Sequence, residues 1–269
     1  MISINHHTEG AHMIKSIRRQ ALNRELVAGT FLNLGSSLTV EMAGQSGFDW
    51  VLIDIEHGSG DHESLVHQLQ SISSTPAVPI VRIANNDPPR FKRVLDMGAS
   101  GVMVPYVSTV EEAELAVASM RYPPRGIRGV AKLNRGSAFG NEFDEYYDKG
   151  HELLTTVVQI ETAEAVDNID KIAAVDGVDV LFIGPLDLSV NLGIPQQFDH
   201  PTFLEAKQKV SEAAGNAGKS AGILLLNPDQ LQATVKAGFT FIALGSDGGL
   251  IAAGMRNIAS AFDPYRGES

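Results

Sequence analysis

The 269-residue sequence has no cysteine and a single tryptophan. Without cysteine, disulfide scaffolds, thiolate zinc sites, iron–sulfur clusters and cysteine nucleophiles are all excluded. No apolar run approaches the ~20 residues of a membrane span. The first stretch, Met1–Met13, is polar, contains histidine and lacks the apolar core of a signal peptide. It reads as a native extension or a remnant of expression, residues 14–269 form one domain, and the cytoplasm is the expected compartment. Positive charge is also scarce: 21 Lys and Arg against 32 Asp and Glu leave a formal charge of −11. That balance argues against nucleic acid or an anionic membrane as partner. The first strand-like run continues into Leu34-Gly35-Ser36-Ser37, with no GxGxxG phosphate loop, and no serine sits in a GxSxG elbow.

What is present is a repeat. Eight short runs rich in Val, Ile and Leu recur about every 25 residues: Gly29–Leu34, Trp50–Ile55, Val78–Ile83, Gly101–Val104, Leu154–Ile160, Val178–Ile183, Ala221–Leu225 and Phe239–Leu244. They do not alternate with polar residues, as expected of parallel strands covered on both faces. Helical patterns lie between them, at Leu38–Gln45, Glu63–Ile72, Pro89–Asp96, Val110–Ser119, Ala163–Ala173, Thr202–Ala217, Pro228–Ala237 and Leu250–Phe262. Eight βα units in ~250 residues predict an α/β chain folded as a (β/α)8 TIM barrel. A helix over about Ile14–Leu26 is expected to close its bottom. One connection breaks the rhythm. Arg121–Gly150 carries Arg121, Arg125, Arg128, Lys132 and Arg135, then an acidic, aromatic part. A loop of this length is usually functional or part of an interface.

In such barrels chemistry sits at the C-terminal ends of the strands. Here those ends read Asp54-Ile55-Glu56-His57, Val81-Arg82, Gln159-Ile160-Glu161 and Gly184-Pro185-Leu186-Asp187. Charge at the rim of an apolar barrel is costly unless it is paired or binds something. Glu161 and Asp187 stand one βα unit apart, on neighbouring strands. Two carboxylates without soft ligands suit Mg²⁺ or Mn²⁺; the alternative is that each caps the following helix. His57 is placed to act as a base, since imidazole titrates near neutrality, or is a rim histidine with no chemical task. Arg82 is placed to meet a carboxylate or an enolate oxygen, or to bridge Asp54 or Glu56. His62 and His67, five residues apart, do not share a helix face and read as solvent-facing. The Gly184-Pro185 turn can aim free N–H groups at a small anion.

Together these segments, with Arg121-Tyr122-Pro123-Pro124-Arg125-Gly126-Ile127-Arg128-Gly129, Gln159-Ile160-Glu161-Thr162 and Phe182–Ser189, resemble the HpcH/HpaI family of metal-dependent pyruvate aldolases. The likeness spans about Ile14–Phe262. It implies Glu161 and Asp187 as ligands of a divalent cation (Mg²⁺, Mn²⁺ or Co²⁺, with no organic cofactor). It also implies His57 as base, Asp96 as the carboxylate supporting it and Arg82 as enolate stabiliser. Gln159, Gly184 and the backbone at Leu186 would belong to the pyruvate site. Phe31 stands where the family usually has tryptophan, near the mouth of the site, and is expected to tune the choice of aldehyde. The resemblance further implies a homohexamer, a trimer of dimers that exchange their last helix. Pyruvate and an aldehyde would be the substrates, and a 4-hydroxy-2-oxo acid the product.

Two rivals follow from the same residues: a lyase for a coenzyme A thioester, with the Arg121–Arg135 loop as its nucleotide groove, or a non-catalytic barrel serving assembly. A Schiff-base aldolase is disfavoured, because none of the nine lysines falls within or at the upper end of an expected strand.

Overall fold

The structure is a computed structural model and describes residues 14–266; Met1–Met13 lies outside the described residues. Eight parallel strands close into a barrel in sequence order. They are β1 (Val27–Leu32), β2 (Trp50–Asp54), β3 (Val78–Arg82), β4 (Gly101–Val104), β5 (Thr155–Ile160), β6 (Val180–Ile183), β7 (Ser220–Leu225) and β8 (Phe239–Ser246). All eight expected strands are present, with no end moved by more than two residues.

The helices are α1 (Arg18–Leu22), α2 (Ser37–Gln45), α3 (His62–Ser73), α4 (Pro88–Asp96), α5 (Val110–Met120), α6 (Phe143–Leu153), α7 (Ala163–Asp167), α8 (Ile169–Ala174), α9 (Pro185–Asn191), α10 (Pro201–Asn216), α11 (Leu231–Lys236) and α12 (Asp247–Ser260). Four departures from expectation bear on the site or its surroundings. The bottom helix shrinks to α1. The helix expected over Ala163–Ala173 breaks at Asn168, whose side-chain Nδ2 donates to the Ser108 carbonyl at 3.0 Å while its backbone N–H closes the last turn of α7 on Glu164. An unforeseen α9 starts on Pro185, where proline at the first helical position loses no hydrogen bond. The long connection holds a 3-10 turn (Arg135–Gly140) and then α6. Because α5 runs back down the barrel, this connection lies at the bottom, away from the strand C-termini.

Two apolar clusters form the core. One packs the outer strand faces against the helices; the other fills the barrel. The filling is aromatic: Trp50 stacks on Phe241 with ring centroids 4.2 Å apart, and Phe182 meets Trp50 edge-on at 6.3 Å. Room for the indole comes from Gly29, where a Cβ would stand 2.1 Å from the Trp50 ring. Ile17, just before α1, and Ala21 within it seal the bottom of this cluster.

Side chains alternate in and out along each strand. Trp50 and Leu52 point inward on β2, Val78 and Ile80 on β3, and Val157 on β5. The next inward positions are Asp54, Arg82 and Gln159, followed by Glu161 just past β5. The same alternation that packs the lower barrel therefore delivers a polar top layer, all of it buried.

Candidate active site

Arg82 anchors the top layer. Its Nε and Nη2 donate to the two oxygens of Asp54 at 3.0 and 2.7 Å, a bidentate pair set by the Asp54↔Arg82 register of β2 and β3. Its Nη1 lies 3.0 Å from Glu56 Oε2. Guanidinium carries five N–H donors, so one remains on each terminal nitrogen. The bridge to the rim acids is thus formed, and it fixes the plane of the guanidinium while leaving donors for a substrate oxygen. Phe31 lies beneath it, 5.5 Å from ring centroid to Cζ, and packs on Phe182. Phe31 is only 6% exposed. It buttresses Arg82 within this chain and does not line an open mouth.

Glu161 lies just beyond the end of β5, 2% exposed. Its Oε1 accepts from Gln159 Nε2 at 3.0 Å and its Oε2 from the Tyr106 N–H at 3.0 Å. It does not cap α7; Thr162 does, accepting from the Ala165 N–H at 3.0 Å. Burial, with Asp187 and Glu56 adding repulsion, pushes its carboxyl up to about 7, although the Tyr106 N–H and Arg82 pull the other way. Gly184 makes this packing possible: an added Cβ there would stand 2.0 Å from Glu161 Oε1.

Asp187, in the first turn of α9, makes no cap either. Its Oδ1 accepts from the Tyr106 hydroxyl at 2.7 Å. Leu186 is exposed beside it, and the N–H groups of this turn are the unpaired ones of a helix start. His57 sits on the loop after β2. Its N–H donates to Asp54 at 3.2 Å and its exposed ring places Nε2 3.9 Å from Glu56 Oε2. Glu56 faces Arg82, His57, Asp54 and Asp187 together, and burial raises its carboxyl above the usual range.

The structure therefore gathers His57, Arg82, Gln159, Glu161, Gly184, Leu186 and Asp187 at one end of the barrel. Asp96 is not among them. It is the last residue of α4, at the opposite end, and its Oδ1 accepts from Arg128 Nη2 at 2.7 Å. Within one chain the expected support of His57 by Asp96 is not formed. Sequence reading missed two participants. Glu56 was visible as a charge at a strand end, but its role depends on Arg82 and His57 meeting it. Tyr106 gave no signal, since an aromatic residue after Pro105 reads as ordinary loop.

Among the described residues, no three His, Cys, Asp or Glu side chains are grouped to hold a metal. The pair Glu161 and Asp187 still fits a hard divalent cation that takes its other ligands from water and substrate. The fit rests on their chemistry here: Tyr106 touches both carboxylates, neither is in a salt bridge among the described residues, and burial disfavours uncompensated charge on Glu161.

A parallel barrel with a charged cluster at the strand C-termini is the layout of a barrel enzyme. Comparison with known proteins identifies the group. The chain belongs to the HpcH/HpaI aldolase/citrate lyase family, which it matches over residues 28–253, and is accordingly a carbon–carbon lyase of the aldolase type. A 5-keto-4-deoxy-D-glucarate aldolase of Escherichia coli (strain K12) is 38% identical over 239 residues, covering 89% of this chain and 93% of that protein. An HpcH/HpaI aldolase/citrate lyase family protein from Burkholderia cenocepacia J2315 superposes with a TM-score of 0.87 at 33% identity, covering 92% of this chain and 98% of the other. The HpcH/HpaI aldolase from Desulfitobacterium hafniense DCB-2 gives 0.83 at 29%, covering 95% and 98%.

Proposed function

We propose that the protein is a divalent-metal-dependent aldolase that joins the enolate of pyruvate to an aldehyde, or cleaves the resulting 4-hydroxy-2-oxo acid. The observation that carries this reading is the convergence of Glu161 and Asp187 beside Arg82 and His57. The substrate named for the Escherichia coli relative, 5-keto-4-deoxy-D-glucarate, is a 4-hydroxy-2-oxo acid when numbered from its keto end. Mg²⁺, Mn²⁺ or Co²⁺ held by Glu161 and Asp187 would supply Lewis acidity to the keto oxygen. The chain's own groups do the rest. Gln159 orients Glu161, and the first N–H groups of α9 with the free donors of Arg82 receive the keto acid's oxygens. Arg82, held in orientation by Asp54, stabilises charge that develops on the enolate oxygen. His57 takes the methyl proton at a ring nitrogen and, being exposed, exchanges it with solvent.

The arginines once available to a coenzyme A groove are committed elsewhere. Arg128 is buried on Asp96 and Tyr146, Arg121 faces Asp176, Arg125 faces Asp148, and Arg135 donates to the carbonyls of Met97 and Leu69. The void walled by Tyr122 and Arg128 holds about 10 Å³, too little for a nucleotide, whereas the open grooves beside Arg125 and Arg135, about 430 and 680 Å³, lie between outer helices of the barrel.

We also propose that the last helix docks on a second copy. From Leu250 onward α12 is almost wholly exposed, presenting Leu250 (68%), Met255 (67%), Ile258 (67%) and Phe262 (57%). Apolar exposure of this extent on a helix marks an interface, in keeping with an exchanged dimer and a hexamer built from it. No described helix is long and apolar enough to cross a membrane, and a cysteine-free chain suits the cytoplasm.

Retro-aldol and aldol assays test the activity. Chelation should abolish turnover and Mn²⁺, Mg²⁺ or Co²⁺ restore it, with Glu161→Gln and Asp187→Asn inactive. A panel of aldehydes with pyruvate, set against acetyl-CoA with glyoxylate, separates the two lyase types. Full activity after exhaustive chelation, or a lysine–pyruvate adduct trapped by borohydride with loss of activity, refutes the metal-dependent reading.

A further inference from the structure

Tyr106 stands apart from the residues the proposed reaction uses. It follows β4 at φ 53°, the left-handed region that a bulky side chain rarely enters. Its neighbours are fixed on both sides: Pro105 and Val107 are buried, and the Val107 N–H donates to the Gln159 carbonyl at 3.1 Å, carrying the β4–β5 ladder past Tyr106. Strain of this kind persists where surrounding structure over-determines it and clusters at functional sites. The left-handed turn has a specific result. It aims the Tyr106 N–H at Glu161 Oε2, 3.0 Å away, and swings the ring across the rim so that the hydroxyl reaches Asp187 Oδ1 at 2.7 Å. One residue thus touches both carboxylates, which follow different strands: Glu161 lies just past β5 and Asp187 in the first turn of α9, after β6.

We infer that Tyr106 is a positioning residue that clamps the two carboxylates in register, its peptide N–H holding Glu161 and its phenol holding Asp187, so that their remaining lone pairs are preorganised for one divalent cation. The inference rests on the proposed metal site. Each carboxylate oxygen has about two acceptor sites, so a single donor at Oδ1 leaves Asp187 free to ligate. Asp187 starts a short helix at the rim and has no other side-chain partner among the described residues. Without the phenol its carboxylate would be free to rotate into solvent, away from Glu161. Hydrogen-bond partners of metal ligands typically contribute ~10–100-fold in metal affinity.

The test is Mn²⁺ affinity, read as free Mn²⁺ by electron paramagnetic resonance, on the full chain of wild type, Tyr106→Phe and Asp187→Asn, with thermal midpoints recorded in chelator. Tyr106→Phe keeps the ring and the backbone N–H and removes only the hydroxyl. Its Kd for Mn²⁺ should rise ~10–100-fold with an unchanged midpoint; a merely structural hydroxyl would move the midpoint and not the Kd. Equal or tighter binding by Tyr106→Phe overturns the clamp, tighter binding meaning that the phenol competes with the ion. If wild type and Asp187→Asn bind Mn²⁺ alike, or neither binds, the metal site itself fails and the clamp with it. Binding that is lost in Asp187→Asn and untouched in Tyr106→Phe defeats the clamp alone. Should Tyr106→Phe lose its cooperative melt, Tyr106→Asn, a residue that tolerates left-handed backbone, carries the same expectation.

Discussion

Replacing Gly184 by alanine should damage the site through one methyl group. Gly184 has φ −85° and ψ 98°, open to any residue, so glycine is there for space. The added Cβ would stand 2.0 Å from Glu161 Oε1 and 2.8 Å from its Cγ, where ordinary contact begins at 3.4 Å. Relief requires the carboxylate to retreat by 3.4 − 2.0 = 1.4 Å. Glu161 is buried and held by Gln159 and Tyr106, so retreat breaks at least one of those hydrogen bonds. Overpacking of this kind costs roughly 1–3 kcal/mol, or about 2–12 °C in Tm at 2–4 °C per kcal/mol for a domain near this size. The larger effect should be functional, because a misplacement of about 1 Å can lower turnover ~10²-fold. Calorimetry in chelator, Mn²⁺ titration and aldolase turnover measure the three consequences. Glu161→Asp, one methylene shorter, vacates the contested space. The double variant Gly184→Ala/Glu161→Asp should therefore be no worse than Glu161→Asp alone, a non-additivity expected of residues in contact. Wild-type Mn²⁺ affinity and turnover in Gly184→Ala would refute the packing of Glu161 on Gly184.

His57→Ala should keep fold and Mn²⁺ binding while exchange of pyruvate methyl protons with deuterated water falls ~10²–10⁴-fold; wild-type exchange would assign the base elsewhere. Stability without metal should carry a signature of Glu161. Its carboxyl holds a proton up to about pH 7 when folded, against an ordinary 4.5, so its contribution is fully present below pH 4.5 and is lost as pH rises through 7. The loss is on the order of 3 kcal/mol at most. Urea unfolding at pH 5 and pH 8 in chelator should show this drop in wild type and not in Glu161→Gln, and saturating Mn²⁺ should reduce it. Parallel pH profiles for the two proteins would defeat the argument.

Local sequence determined the barrel. Eight runs of β-branched and aliphatic residues at regular spacing have one economical burial, between an aromatic interior and a ring of helices. Glycines at 98, 218 and 238 end α4, α10 and α11 in positive φ as their positions suggest. The rim was legible for the same reason. Period-2 alternation along β2, β3 and β5 fixes Asp54, Arg82 and Gln159 to the interior once Trp50, Val78 and Val157 are assigned there. Helix breaks were less legible, since Asn168 leaves the helix for a carbonyl 60 residues away in sequence.

Contacts between units were decided only in three dimensions. That Arg82 is held in orientation by Asp54 depends on strand register; that Glu161 is buried against Gly184 depends on β6 lying beside β5. Asp96 and His57 are both polar and 39 positions apart, and nothing local distinguishes them. The helix that carries Asp96 runs from the top of the barrel to its bottom, which sends Asp96 to Arg128 and leaves His57 at the rim. Phe31 was placed at the mouth by the family resemblance, yet its inward phase on β1 sinks it under Arg82. Tyr106 had no sequence signature at all. Its importance comes from a left-handed turn imposed by buried neighbours, and chain-distant packing of that kind has no periodic trace in sequence.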